Sequence, residues 1–118
     1  VKNKKVRLIL QPMTKQEEVR EYLLSSGFSI VDEVLSEDEG KIYQTLCAEY
    51  SGKSERYTRA ELILGKHNIK RGGELFCKFV ENRIEVYTAR LEGKPAAGLG
   101  DEETQLVEQF KNILEKTK

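Results

Sequence analysis

The opening strand constrains the fold more than any other stretch of this sequence. Val6–Leu10 is apolar apart from Arg7, ends at Gln11-Pro12 and is followed at once by helix signals. Such a run is typical of a strand inside a sheet, which needs cover on both faces. The next residues supply only one helix and two further strand-like runs. We therefore expect this strand to be built against neighbours that the 118 residues do not contain.

The helix after this strand is predicted over about residues 15–26. Thr14 and Glu17 have the spacing of a capping box, in which each side chain accepts a hydrogen bond from the other residue's backbone amide. Gly27 suits the position after the helix, where a left-handed backbone is common. Strand, helix and following strand thus predict a βαβ-like unit.

Two further strands are predicted at Phe28–Leu35 and Ile42–Tyr50, joined by a tight acidic turn at Glu37–Gly40. A tight turn pairs its two strands antiparallel. The last strand carries apolar residues on both faces, which favours an inner position. We therefore predict the sheet order first, third, second, with the second strand at the edge. The acidic residues there are expected to discourage edge-to-edge aggregation; they are Asp32, Glu33, Glu37, Asp38 and Glu39.

The second half of the sequence predicts a helical region. Residues 51–73 are a polar connector with one apolar patch, Leu62–Leu64, which could form a short helix or dock on the core. Two apolar stripes at helical spacing then flank a break at residues 93–100, and they predict an antiparallel hairpin. The stripes are Phe76, Val80, Ile84, Tyr87 and Leu91, then Leu106, Val107, Phe110, Ile113 and Leu114. We divide the chain into an α/β segment, 1–52, and a helical region, 53–118.

Composition excludes several classes of protein. No run approaches the length of a membrane span, and no export leader is visible. Cys47 and Cys77 lie in apolar strand and helix contexts, so we expect buried, reduced thiols, which suit a cytoplasmic protein. His67 is the only histidine, which argues against a Ser-His-Asp site and leaves a histidine metal site without a second histidine. We predict no catalytic residue and no metal site within these residues.

Two groups of residues are candidates for binding. Gln11 and Pro12 follow the opening strand, at the end of a sheet strand where open α/β folds place ligands; a plain strand-to-helix turn is the alternative. Basic residues cluster before the long helix, within a region, 51–94, that carries ten basic and six acidic groups. On a flexible loop they could neutralise phosphates, or they could simply be solvated. They are Lys66, His67, Lys70 and Arg71.

The sequence resembles the bacterial tRNA (adenine(22)-N(1))-methyltransferase family over essentially its whole length. The segments that carry the resemblance are Arg7–Pro12, Val19–Leu23, Ile30–Leu35, Asp38–Tyr43 and Leu62–Asn68, together with the predicted hairpin. The family often has asparagine after Gln-Pro, where this chain has Met13. The resemblance implies the C-terminal part of a Rossmann-like methyltransferase sheet, three mixed strands and one helix, followed by an antiparallel helical hairpin. Its last three strands would lie in the order 5-7-6, which is the order predicted above.

The resemblance also implies function. The intact protein would use S-adenosylmethionine and act on tRNA, with Gln11 and Pro12 lining the substrate pocket and the basic cluster and hairpin holding RNA. The acidic and glycine-rich segment that binds the cofactor in this family is absent from these residues. We therefore expect a fragment that binds no cofactor and is inactive alone. The alternatives are a non-catalytic RNA-binding module and a dimerisation module, and an open sheet edge would favour a homo-oligomer or a strand-swapped dimer.

Overall fold

A computed structural model of the chain describes residues 7–92 and 101–118. The elements, in chain order, are β1 Arg7–Leu10, α1 Gln16–Ser25, β2 Phe28–Asp38, β3 Lys41–Tyr50, α2 Arg59–Leu64, α3 Lys66–Arg71, α4 Glu74–Glu92 and α5 Asp101–Thr117. They fall into two compact units, Val1–Lys70 and Arg71–Lys118, so that residues 53–70 group with the sheet. The predicted break at residues 93–100 lies outside the described residues.

The sheet has the predicted order, β1-β3-β2. Both pairings are antiparallel, so β1 and β2 run parallel to each other on either side of β3, as a βαβ-like unit requires. Glu39 and Gly40 both have positive φ and make the two-residue turn between β2 and β3, which is the type whose twist suits a hairpin. β2 is longer than predicted because its pairing with β3 continues to Asp38.

One face of the sheet carries the core of the first unit. Leu46 and Ala48 of β3 pack with Leu23 of α1, while Ile30 of β2 packs with Leu24 and Leu62 in a second cluster. α1 and α2 therefore cover the same face. The other face is open within the described residues: Ile9 is 71% exposed there, and Val31 and Val34 are also exposed.

The start of α1 differs from the predicted capping box. Lys15, in a left-handed conformation, takes the cap position, and no side chain caps the helix. Thr14 therefore lies one residue too early to bond the first turn, and its predicted pairing with Glu17 is wrong. The end of the helix is as predicted, since Gly27 follows the cap with φ of 91°.

The second unit is the predicted antiparallel hairpin. α4 and α5 pack along their apolar stripes, and the Tyr87 and Phe110 rings meet edge to face with centroids 5.5 Å apart. Gly72, before α4, lies beside Thr117 at the end of α5, which fixes the antiparallel direction. None of the described helices is both long and apolar enough to cross a membrane.

Candidate functional site

The turn between β1 and α1 presents the first pair of candidates. Gln11 is exposed and Pro12 is half-buried directly after the last residue of β1. The Gln16 side chain donates from Nε2 to the Pro12 carbonyl at 3.1 Å, which ties the turn to the first residue of the helix. Gln11 thus lies exposed at the end of β1, beside a turn that this hydrogen bond fixes.

A buried arginine organises the rest of the first unit. Arg20 is 0% exposed on α1, and its Nε donates to Glu33 Oε2 at 2.6 Å. Its Nη1 donates to the carbonyl of Leu62 at 2.7 Å and to that of Ile63 at 3.2 Å, while Nη2 donates to Gln44 Oε1 at 2.5 Å. One guanidinium therefore joins α1, both long strands and the end of α2. We call Arg20, Glu33, Gln44, Gly65 and Asn68 the arginine junction.

Glu33 reaches this junction because of a β-bulge. The pairing of β2 with β3 shifts between Ile30 and Asp32, which leaves Val31 as an extra residue. Ile30 and Glu33, three residues apart, consequently face the same side, whereas strict alternation would place them on opposite faces. The prediction that Glu33 is one of the exposed edge charges is therefore wrong: it is 1% exposed and paired with Arg20.

Gly65 lets α3 follow α2 directly above the junction. Its φ is 94°, and an added Cβ would lie 2.6 Å from both Arg20 Nη2 and Asn68 Nδ2. Asn68 in turn donates to the Leu64 carbonyl at 3.0 Å. Only glycine combines this backbone with so close an approach to buried polar atoms. The chain therefore turns sharply here, and α3 is held by the junction.

The predicted basic cluster lies on α3 rather than on a flexible loop. The loop interpretation is wrong because the backbone amide of His67 donates to Glu33 Oε1 at 2.8 Å and its ring Nε2 bonds the Ile30 carbonyl at 2.7 Å. These contacts anchor the first turn of α3 to β2. Lys66, Lys70 and Arg71 are exposed on the same short helix.

Tyr57 supports α3 from the neighbouring segment. It packs on Leu24, Ile30 and Leu62, and Lys66 Nζ lies 5.4 Å from the centre of its ring. Burial, with the Glu33 carboxylate second, raises the pKa of Tyr57 well above its usual value near 10. The phenol is therefore neutral at physiological pH, and its ring attracts the lysine as a cation–π partner.

The groove between α1 and α2 is acidic, in contrast to the basic α3. A cavity of about 580 Å³ is lined there by Glu17, Glu18, Glu21, Tyr57, Arg59 and Leu62. The one lining arginine, Arg59, is already paired with Glu17 at 3.0 Å. Three carboxylates around one paired cation repel phosphate, so this groove is unsuited to RNA. Within the described residues no group of three or more metal-binding side chains is brought together.

Sequence reasoning missed Arg20, Gln44 and Asn68. A signal existed for Arg20, since it lies four residues before Leu24 and three before Leu23 on the buried face of α1. For Glu33 no signal existed, because a bulge leaves no mark on the pattern of apolar residues. The structure brings Glu33 and His67 together, whereas the turn that holds Gln11 and Pro12 is bonded to Gln16 of α1.

Comparison with known proteins connects this arrangement to one family. The family model described as tRNA (adenine(22)-N(1))-methyltransferase matches residues 2–117. The Bacillus subtilis protein of that name is 38% identical over 61 residues, which are 52% of this chain and 26% of the relative.

Solved structures share the fold. A Streptococcus pneumoniae protein in complex with S-adenosyl-L-methionine has a TM-score of 0.75 and 25% identity over 92% of this chain and 47% of its own. A Streptococcus agalactiae protein of the NADB-Rossmann superfamily has a TM-score of 0.70 and 22% identity over 94% of this chain and 47% of its own. The predicted Rossmann-like fold class is thus confirmed, and the chain spans about half the length of these structures.

Proposed function

Because the chain belongs to the tRNA (adenine(22)-N(1))-methyltransferase family, we propose that it serves methyl transfer from S-adenosylmethionine to N1 of an adenine in tRNA. The observation that carries the proposal is the family match over residues 2–117. The order β1-β3-β2 supports it, since the resemblance implies that order for the last strands of the catalytic sheet. Such a reaction belongs in the cytoplasm, where tRNA is modified.

The residues at the β1–α1 turn do not by themselves make a cofactor site. Between Gln11 and Lys15 there is neither a glycine nor a carboxylate, whereas nucleoside cofactors on such sheets rest on a glycine-rich loop with an acidic partner for the ribose. The chain also spans about half of the relatives that it matches. In this proposal the cofactor is bound by a part of the protein that these 118 residues do not include.

Gln11 and Pro12 would form one wall of the adenine pocket. The exposed amide of Gln11 can donate to and accept from the edge of a base, while the ring of Pro12 stiffens the turn. Methyl transfer needs close alignment of donor and acceptor, so a wall residue contributes by fixing the position of the base.

α3 would contact the tRNA backbone. Lys66, Lys70 and Arg71 are exposed on a helix whose first turn is fixed by the His67 contacts with the sheet. Because the helix backbone is anchored, these cations can neutralise phosphates without a large loss of backbone freedom. The acidic α1–α2 groove would stay away from the RNA.

We test the proposal with substitutions at the candidate binding residues. They are made in the longest polypeptide that the gene encodes around this chain. Changing Lys66, Lys70 and Arg71 to alanine should raise KM for tRNA at least tenfold at physiological salt, because about three phosphate contacts are lost. The matched control replaces three exposed cations outside α3, Lys41, Lys53 and Arg56, and should change KM less than threefold. Equal effects of the two triple variants would contradict the assignment of α3.

Gln11→Ala addresses the pocket wall separately. It should lower kcat about tenfold or more while tRNA affinity stays unchanged, because a mispositioned base slows chemistry without altering backbone contacts. A normal kcat in this variant would remove Gln11 from the site.

A further inference from the structure

The turn between β1 and α1 is anchored in the core at both of its ends. Leu10, the last residue of β1, and Val19 of α1 both pack on the core cluster that contains Leu23. Between these two anchors the chain turns sharply, because Lys15 enters the helix with a left-handed φ of 56°. Among residues 7–92 and 101–118 no side chain caps the start of α1. The conformation of the turn therefore depends on contacts made inside it.

Gln16 supplies a contact of this kind. Its half-buried side chain donates from Nε2 to the Pro12 carbonyl at 3.1 Å. Pro12 lies four residues before Gln16, so its carbonyl is the acceptor that a continuous helix would offer to the Gln16 backbone amide. Because α1 begins only at Gln16, the side chain makes this hydrogen bond instead. The first residue of the helix is thereby joined to the residue that follows Gln11.

Three local constraints then fix the backbone of Gln11 and Pro12. The residue before a proline is confined to extended conformations, which suits Gln11 directly after β1. The pyrrolidine ring holds φ of Pro12 at about −65°. Neither constraint acts on ψ of Pro12, which sets the direction of the carbonyl, and the hydrogen bond from Gln16 restricts this angle. Loss of the Gln16 donor would free the backbone angle of Pro12 that the ring leaves open.

We propose that Gln16 is a positioning residue for the adenine pocket, acting through Pro12 and Gln11. The inference rests on the proposed function, in which Gln11 and Pro12 form one wall of that pocket, and it adds a residue that holds this wall in place. Methyl transfer needs the acceptor nitrogen in line with the donor, and a misplacement of about 1 Å can cost about 100-fold in rate. One ordinary hydrogen bond contributes little to folding. Gln16 therefore matters more for kcat than for stability.

Methylation kinetics of the longest polypeptide that the gene encodes around this chain test the proposal. Q16M keeps the length of the side chain without a donor, and Q16E keeps its shape but only accepts hydrogen bonds at neutral pH. Each should lower kcat about tenfold and change KM for tRNA less than twofold, because contacts with the RNA backbone are unaltered. The matched control, E18M, introduces methionine at an exposed position in the first turn of α1 and should keep the wild-type kcat.

Two further measurements separate positioning from folding. The midpoint of thermal unfolding should change by less than about 4 °C in Q16M and Q16E, as expected for one hydrogen bond. Q16E should be at least as stable as Q16M, because a carboxylate is favourable at the positive end of a helix. In Q11A/Q16M, kcat should lie within about threefold of that of Q11A, because Gln16 acts through the wall that Gln11 has already lost.

The possible outcomes distinguish this inference from the proposed function. Wild-type kcat in both Q16M and Q16E, with Q11A slowed, would overturn the role of Gln16 and leave the proposed function standing. So would a loss of kcat that multiplies fully in Q11A/Q16M, or one that follows the unfolding midpoint. A normal kcat in Q11A would overturn the wall and the role of Gln16 with it. No methylation by the wild-type polypeptide would overturn the proposed function as well.

Discussion

Replacing Arg20 with methionine should destabilise the first unit far more than any exposed substitution. The change removes the Arg20 guanidinium from the buried Glu33 carboxylate, and it leaves the Leu62 carbonyl and the Gln44 side chain without the donor that Arg20 supplies. Breaking a buried pair from one side costs about 3–5 kcal/mol, because the remaining charge stays buried without compensation. We expect a loss of about 4 kcal/mol in the free energy of unfolding.

Arg59→Met is the matched control for this prediction. Arg59 also joins α1 to the α2 region through a carboxylate, but the side chains of Arg59 and Glu17 are 34% and 25% exposed, against 0% for both partners of the buried pair. Solvent screens the exposed pair, so the same substitution should cost about 0–1 kcal/mol.

Urea unfolding followed by circular dichroism measures both variants. The midpoint should fall strongly for Arg20→Met and barely for Arg59→Met, with the slope unchanged if the unfolding transition remains two-state. The double variant R20M/E33L should recover part of the loss, since an apolar replacement of a buried pair is often tolerated. Similar midpoints for R20M and R59M, or a double variant less stable than R20M, would refute the role given to the arginine junction.

Three further outcomes follow from the same structure. Gly65→Ala should lower the free energy of unfolding, measured in urea, by about 3 kcal/mol, since it adds overpacking to backbone strain. Gly40→Ala, at a position with positive φ but open space, should lower it by about 1 kcal/mol. Equal losses would contradict the close approach at Gly65. Because the pKa of Tyr57 is raised, the folded state holds the phenol proton more tightly than the unfolded state does. The free energy of unfolding should therefore fall as pH rises above 10, by up to about 1.4 kcal/mol per pH unit more than in Tyr57→Phe. Parallel plots of stability against pH for the two proteins would contradict the raised pKa. The outer edge of β1 has no partner strand among the described residues, and Ile9 is exposed there. Light scattering should therefore show concentration-dependent self-association that Ile9→Lys reduces. A strict monomer at high concentration would exclude self-association through this edge.

The order of the sheet and the helical hairpin followed from periodicity. β3 carries apolar residues on both faces, which identified it as the inner strand, and the stripes through Phe76 and Phe110 identified α4 and α5 as packed helices. These features extend over many residues, so that many positions carry the same pattern of apolar residues. The assignment of Gln11 and Pro12 to a binding site stays a prediction; the structure shows only that the pair follows directly after β1.

The arginine junction could not be predicted, because it depends on single local events. One bulge residue, Val31, reverses the face of Glu33, and one left-handed residue, Lys15, removes Thr14 from the cap position. The same capping pattern does form between Thr58 and Glu61, where the backbone before α2 is extended. α2 and α3 are each six residues long, too short for a periodic signal, and they are stabilised chiefly by tertiary contacts.

Mass spectrometry of tRNA nucleosides tests the central claim most directly. Unmodified tRNA would be incubated with S-adenosylmethionine and the longest polypeptide that the gene encodes around this chain, and in parallel with the 118 residues alone. The account predicts N1-methyladenosine with the longer polypeptide and none with the chain alone. Methylation at another atom, no methylation by the longer polypeptide, or methyl transfer by the isolated chain would contradict it.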